Sequence, residues 1–202
     1  MHFEFLLEEE SAEKVLDNIL PQIVTGEHSY RCIRYQGKQD MLKNLPIELK
    51  AYAKYITSDY RIVVLIDKDR DDCRVLKNRL DNMAIEAGLI TKTNAQHNNF
   101  QVVNRISIEE IEAWFFGDAD AMRKAYPRLS KNFERKEKYR NPDAITNTSE
   151  VLEAFLQRNG YFKTGIRKIE VANDISKYML PLNNTSKSFQ VFWQGITDCL
   201  QS

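Results

Sequence analysis

The sequence is poor in the residues that mark disordered, disulfide-bonded or membrane-spanning chains. It has seven glycines and five prolines in 202 residues and no low-complexity tract, so a disordered chain is excluded. Its cysteines, Cys32, Cys73 and Cys199, form no C-x-x-C motif, which argues against a disulfide framework and a zinc knuckle. The longest aliphatic run, residues 62–66, is far too short to cross a bilayer.

An excess of charge of one sign is also missing. The chain has 29 basic and 29 acidic residues, so no whole-molecule field attracts nucleic acid or an anionic membrane. There is no Gly-rich phosphate loop, and His2, His28 and His97 lack the spacing of a metal site. The opening MHFEFLLEEE turns acidic where a signal peptide is apolar, so we expect a cytoplasmic protein. If ATP is hydrolysed, a partner is expected to do it.

What is present is an alternation of strand and helix patterns. Strands are predicted at 2–7, 29–35, 61–66 and 101–108, and helices at 11–20 (capped by Ser11), from Pro46 onward, and at 73–87, 109–116, 150–158, 167–179 and around 189–200. The apolar run 61–66 is typical of a central strand. We predict an α/β fold with a three-layer core and a mostly parallel central sheet (1–118), plus a C-terminal helical extension (119–202) packed on it.

Carboxylates follow the central strand directly, in RIVVLIDKDRDDC. In open parallel sheets, ligands bind outside the carboxyl ends of the strands, which places Asp67 and Asp69 at the expected site. Carboxylates at i and i+2 repel each other unless a cation or a basic group lies between them, and oxygen-rich sites suit Mg²⁺ or Mn²⁺. A solvated loop is the alternative. Asp71 or Asp72 can cap the next helix, and Asp72 is also kept among the candidate metal ligands.

Two known motifs share features with the segment RIVVLIDKDRDDC. An EF-hand loop beginning at Asp67 requires glycine at its sixth position and glutamate at its twelfth, where the chain has Asp72 and Asn78. That motif is excluded. An Asp67 nucleophile with Asp69 two residues later resembles the haloacid dehalogenase phosphatases, although Asp71 stands where that family usually has threonine or valine.

A second group of carboxylates ends the first strand, in FEFLLEEES. A neighbouring parallel strand would deliver Glu8, Glu9 and Glu10 beside Asp67. A strand ending in glutamate, then a helix, with a later strand ending in Asp-x-Asp, resembles the Toprim fold of topoisomerases, primases and OLD-type nucleases. This resemblance assigns the Toprim glutamate to Glu8, with Glu9 in place of the usual glycine and a changed turn.

The resemblance extends over nearly the whole chain. The segments LLEEESAEKVLDNILP, VVLIDKDRDDCRVLKNRLDNMA, RISIEEIEAWFFGD, AYPRLS, YRNPDAI and NNTSKSFQVF together resemble the bacterial family catalogued as domain of unknown function 4276. That family is grouped with Toprim-like proteins and is often encoded beside an ATPase of the AAA or ABC type in phage-defence-like neighbourhoods. EIEAWFF also resembles a segment of another Toprim-like defence family, which implies that Glu112 lies near the acidic site.

Three functions follow, in order of preference. The first is a divalent-metal-dependent nuclease for DNA or RNA that works as a phage-defence effector with an ATPase partner; whether it is a homo-oligomer stays open. In it, Asp67 and Asp69 bind one metal, Glu8 is a ligand or the general acid/base, and Glu112, with Glu109 one helical turn earlier on the same face, completes the site. The second is a catalytically silent regulatory or nucleic-acid-binding subunit. The third is the aspartyl phosphatase.

A basic segment offers a surface for a polyanion. Between residues 123 and 140 there are eight basic residues against two glutamates, an arrangement that suits a phosphate backbone near a metal centre. The candidate nucleic-acid-binding residues are Arg128, Lys131, Arg135, Lys136, Lys138, Arg140 and Lys168. Phe133 and Tyr139 are expected to stack on bases. The alternative is a solvated segment with salt bridges.

Overall fold

The computed structural model describes residues 1–96 and 99–201, and the centre of this part of the chain is a four-stranded parallel sheet. The strands are β1 (His2–Leu7), β2 (Ser29–Arg34), β3 (Tyr60–Asp67) and β4 (Val102–Ser107), in the order β2-β1-β3-β4. All three strand pairs are parallel, so the four carboxyl ends lie at one edge. His97, to which the sequence assigned no chemistry, lies outside the described residues.

The sequence of β3 explains its central position. Ile62, Val64 and Ile66 pack on one face of the sheet, while Val63 and Leu65 pack on the other, and all five are buried. A strand that is apolar on both faces has no side that water could solvate, so neighbouring strands and two helical layers must cover it. The predicted central strand is confirmed.

Helices cover both faces of the sheet. They are α1 (Glu10–Ile19), α2 (Lys38–Tyr52), α3 (Cys73–Glu86), α4 (Glu112–Gly117), α5 (Ala119–Ala125), α6 (Thr148–Arg158), α7 (Lys168–Ser176) and α8 (Lys187–Leu200). Apolar side chains of α2 and α3 pack on one face, and those of α1 and α4 to α8 pack on the other. The predicted α/β architecture, with C-terminal helices packed on the core, is confirmed. Within the described residues, no helix has the length and apolar character needed to cross a membrane.

The C-terminal helices share one core with the sheet. The Phe192 ring of α8 lies 5.0 Å from the Trp114 ring and 6.4 Å from the Phe5 ring of β1. The Trp114 indole N–H donates a hydrogen bond of 3.0 Å to Ser188 Oγ. Residues on both sides of position 118 therefore bury each other, and position 118 does not divide the hydrophobic core.

Two predicted helix starts in the N-terminal half of the chain are wrong. Helix α1 begins at Glu10, and Ser11 lies inside it, where its hydroxyl donates to the Glu9 carboxylate instead of capping the helix. Helix α2 begins at Lys38, after Gly37 with φ +95°, and Pro46 lies in its interior. Met41, Leu45 and Leu49 bury one stripe of α2, and this packing outweighs the hydrogen bond that Pro46 cannot donate.

We expect Phe192→Ala to lower the free energy of unfolding by about 3–5 kcal/mol, because a buried ring between the sheet and Trp114 is replaced by a cavity. Val191→Ala is the matched control, since Val191 is 42% exposed on the same helix. Urea denaturation followed by circular dichroism and tryptophan fluorescence measures both variants. If Phe192→Ala unfolded in two steps, with α8 lost at low urea and the sheet unaffected, the two parts of the chain would not share one core.

Candidate functional site at the carboxyl ends of the strands

The ends of β1 and β3 bring Glu8 and Asp67 into contact. Glu8 Oε2 accepts a hydrogen bond of 2.9 Å from the Asp67 backbone N–H. The Asp67 carboxyl group is buried and accepts a hydrogen bond from the Ser107 hydroxyl at the end of β4. Three neighbouring parallel strands therefore each place a polar residue at one point. The predicted juxtaposition of Glu8 and Asp67 is confirmed, while their catalytic and metal-binding roles stay predictions.

Glu112 adds a second buried carboxyl group to that of Asp67, whereas Glu8 is half-buried. It is the first residue of α4 and is 3% exposed. Its Oε1 lies 3.8 Å from Lys168 Nζ on α7, and its Oε2 has no hydrogen-bond partner. A buried carboxylate oxygen without a partner is costly, so Glu112 is a group that a bound cation would stabilise.

The pKa values of all three carboxyl groups are raised above their ordinary values. Burial raises the pKa of Asp67 well above its ordinary value, and the charges of Glu112 and Glu8 raise it further. Burial also raises the pKa of Glu8 and the pKa of Glu112, each to about 7. The positive charge of Lys38 partly offsets the rise in the pKa of Glu8, and that of Lys168 partly offsets the rise in the pKa of Glu112. Ionisation of these carboxyl groups is therefore unfavourable in the protein without a bound cation.

The loop after β3 is tied to the loop after β4. The Asp69 N–H donates to the Glu109 carbonyl oxygen (2.7 Å), and Lys68 Nζ lies 2.6 Å from Glu109 Oε1. Asp69 and Glu109 both adopt left-handed backbone conformations, with φ of +49° and +58°. The prediction that Glu109 precedes Glu112 on one helical face is wrong, because α4 begins only at Glu112 and the contacts with the β3 loop hold Glu109 outside it.

Two site residues escaped the sequence analysis. Lys38 Nζ lies 2.7 Å from Asp69 Oδ2 and 3.0 Å from Asp71 Oδ2, and it donates to the Lys68 carbonyl oxygen at 3.0 Å. Glu110 Oε2 accepts from the Ser149 N–H at 2.7 Å, and burial raises the pKa of Glu110. Applying the strand-end rule to β2, and not only to β1 and β3, would have indicated Lys38.

Asp72 caps helix α3. Its Oδ1 accepts hydrogen bonds of 2.9 Å from the backbone N–H groups of Arg74 and Val75, and these bonds lower its pKa. The capping interpretation is confirmed. Its other assignment, as a metal ligand, stays a prediction, and we leave Asp72 out of the proposal below because its Oδ1 already serves the helix.

The chemistry of the site fits a hard divalent cation, whereas its spacing is not that of a formed metal site. Carboxylate oxygens such as those of Glu8, Asp67 and Glu112 are the ligands that Mg²⁺ and Mn²⁺ prefer, and Glu112 Oε2 is unpartnered. In the described residues, no three acidic, histidine or cysteine side chains are grouped so that they could hold a metal ion. Asp69, the remaining predicted ligand, is paired with Lys38.

Two clefts border these residues. One, of about 370 Å³, is lined by Lys38, Asp69, Glu109, Glu110 and Glu150 among others. The other, of about 650 Å³, is lined by residues that include Glu9, Arg34, Gly37 and Lys168. The first cleft opens on Lys38 and Asp69, and the second opens on Glu9 and Lys168.

The basic segment is partly exposed and partly core, and its role in binding nucleic acid stays a prediction. Lys131, Arg135, Lys136, Lys138 and Arg140 are exposed, as is Arg128. The Arg128 guanidinium lies 4.1 Å from the centre of the Tyr161 ring and donates to the Gly160 carbonyl oxygen at 2.7 Å.

The prediction that Phe133 and Tyr139 stack on bases is wrong. Phe133 is 0% and Tyr139 is 5% exposed, and Tyr139 stacks on Phe116 with ring centres 5.3 Å apart. The surrounding charges made the segment look polar, but its aromatic residues pack into the core.

We expect the protein without divalent cations to lose stability as the pH rises from 5 to 8. Between the ordinary glutamate pKa of 4.5 and the raised value of about 7, the folded state binds more protons than the unfolded state, so the free energy of unfolding falls with pH. Glu112→Gln should reduce this fall by on the order of 2–3 kcal/mol. Urea titrations at each pH measure the free energy of unfolding of the wild type and of Glu112→Gln. The variant Asp120→Asn, at an exposed position, is the control. An unchanged pH profile in Glu112→Gln would contradict the buried charge.

Comparison with known proteins places the chain in a family. No curated protein matches the sequence. Among solved structures, the C-terminal region of the Xanthomonas campestris pv. campestris OLD protein is similar, with 14% sequence identity, coverage of 98% of this chain and 95% of that chain, and a TM-score of 0.49. The family described as "Domain of unknown function (DUF4276)" matches residues 7–197. The resemblance seen in the sequence is thus confirmed, and the chain belongs to this family.

Proposed function

We propose that the chain is a nuclease that cleaves phosphodiester bonds of DNA or RNA with Mg²⁺ or Mn²⁺. The observation that supports this most is the group of three acidic residues at the carboxyl edge of a parallel sheet: the buried Asp67 and Glu112 and the half-buried Glu8. Ligand sites lie at this edge in open α/β sheets. Burial of mutually repelling acids is unfavourable for the free protein and is relieved when a cation binds.

Each residue has a role in this proposal. Asp67 and Glu112 hold the cation, and Asp69 joins them from the loop after β3. The bound cation supplies Lewis-acid stabilisation of charge on the phosphate oxygens. Glu8, whose pKa is about 7, can accept and return a proton at neutral pH, as a general acid/base requires. Lys168, 3.8 Å from Glu112, adds positive charge where a phosphate would lie.

The two other functions have less support. The silent-subunit hypothesis depended on Glu9 replacing a glycine, but Glu9 has φ −146° and ψ 172°, an extended conformation open to any residue. The phosphatase hypothesis requires Asp67 to attack as an anion. The Asp67 side chain is buried and accepts a hydrogen bond from the Ser107 hydroxyl, so it is poorly placed to reach a phosphorus atom.

The partners belong to the same proposal. The substrate is nucleic acid, which the exposed residues Lys131, Arg135, Lys136, Lys138 and Arg140 contact through its phosphates. An ATPase of the AAA or ABC type works with the chain in phage defence, as the resemblance to the family implies. Glu110 accepts a hydrogen bond from the Ser149 N–H of α6. A partner that binds α6 would therefore be linked to the site through this hydrogen bond.

We expect Asp67→Asn and Glu112→Gln to lose at least about a hundredfold in cleavage rate while remaining folded, because the isosteric amides remove the charge that holds the cation. The assay follows a labelled single-stranded DNA and a labelled RNA with Mn²⁺, with Mg²⁺ and with EDTA. Asp81→Asn is the matched control, since Asp81 is also buried but pairs with Lys77 on α3. Full activity in both site variants would refute the nuclease assignment.

We expect the combined substitution of Lys131, Lys136 and Lys138 by alanine to weaken nucleic-acid binding at 100 mM salt. Each lost phosphate contact lowers the slope of log K against log salt concentration by about 0.7 for a single strand. Fluorescence anisotropy with a labelled oligonucleotide measures the slope. A control variant carries alanine at Lys50 and Lys54, which are exposed on and just after α2. Equal slopes in the two variants would show that the basic segment does not bind the backbone.

A further inference from the structure

Lys38 occupies a position that resembles that of a bound cation. Its ammonium group contacts two carboxylate oxygens, from Asp69 (2.7 Å) and Asp71 (3.0 Å), and the carbonyl oxygen of Lys68 (3.0 Å). An ammonium group has three N–H donors, and the three oxygens satisfy all of them. Carboxylate and carbonyl oxygens are also what a divalent cation binds.

The contact is built into the fold. Lys38 is the first residue of α2, directly after Gly37, and its side chain is only 16% exposed. The Gly37 N–H donates to the Glu8 carbonyl oxygen at 3.0 Å, so the start of α2 is fixed against the end of β1. Lys38 is therefore held between the buried carboxyl groups and the loop after β3.

Asp69 can change partners without moving its backbone. Its N–H is bonded to the Glu109 carbonyl oxygen and its carbonyl oxygen accepts from Lys68 Nζ at 3.0 Å, so the main chain is fixed from both sides. Its carboxylate is 44% exposed and lines the smaller cleft. A cation that enters this cleft would meet the Asp69 carboxylate in competition with the ammonium of Lys38.

We propose that Lys38 is an internal competitor of the divalent cation: it holds Asp69 when no metal is bound and releases it when the metal binds. This inference rests on the proposed metal-dependent function and adds to it a positioning residue that sets metal affinity. The metal-free protein thereby keeps Asp69 neutralised and apart from the buried carboxyl groups. The binding free energy of the metal must include the cost of breaking the ion pair.

The test is a double-mutant cycle on Mn²⁺ affinity, measured by calorimetry without nucleic acid on the full chain. Lys38→Met removes the ammonium and keeps the length of the side chain, and we expect it to bind Mn²⁺ about five- to tenfold more tightly than the wild type. In an Asp69→Asn background the same substitution should give no gain, because the competition acts through the Asp69 carboxylate.

Lys168→Met is the matched control. It also removes a lysine next to the acidic residues, but its effect should be the same with and without Asp69→Asn, since Lys168 pairs with Glu112. Circular dichroism verifies folding, and Lys38→Gln replaces Lys38→Met if the latter does not fold. An unchanged or weaker affinity in the Lys38 variant, or a gain that persists with Asp69→Asn, would overturn the inference.

The proposed function and this inference fail in different ways. If the wild type binds Mn²⁺ and Glu112→Gln does not, while Lys38→Met has no effect, the metal site stands and only the competition is refuted. If none of the variants binds Mn²⁺, including Lys38→Met with its larger excess of negative charge, the metal site and the competition are both refuted.

Discussion

The structure depends on the electrostatic repulsion among acidic residues at the carboxyl edge of the sheet. The register of β1, β3 and β4 brings Glu8, Asp67 and Ser107 together, and α4 adds Glu112 from above. Acids in such surroundings lower the stability of the free protein when they ionise. Folding tolerates this cost because β3 is apolar on both faces and β1 buries Phe3, Phe5, Leu6 and Leu7, so burial of these strands fixes the position of the acids.

Two lysines near these acids reduce their mutual repulsion without removing it. Lys168 approaches Glu112, and Lys38 neutralises Asp69 and Asp71. Each lysine arrives on a helix that packs on a different face of the sheet, α7 on one and α2 on the other. The site is thus bounded by both helical layers, and a change in either layer alters its electrostatic balance. Sites of this kind, with acids whose pKa is shifted toward neutrality, are frequent at functional centres.

The sequence predicts the fold and the acids better than it predicts their partners. The strands follow from uninterrupted apolar runs, and the position of Glu8 beside Asp67 follows from parallel pairing, because both rest on local patterns and one general rule. Lys38 was missed since it lies 30 residues from the oxygens it binds. Glu109 was misplaced because a contact from another loop determines where α4 begins. Phe133 and Tyr139 were misread because flanking charges outnumber them in the sequence, although packing decides their environment.

The packing of α8 against β1 has a consequence for synthesis of the protein. Phe192 contacts Phe5, so the two sides of one core are separated by nearly the whole chain. Until α8 has been synthesised, β1 is covered on that face by α1 but lacks the contact with Phe192, and contacts between such distant residues form slowly. The nascent chain must remain incompletely folded until α8 has emerged. Lys38 lies on α2 and Lys168 on α7, so the acidic edge acquires these two charge partners at different stages of translation.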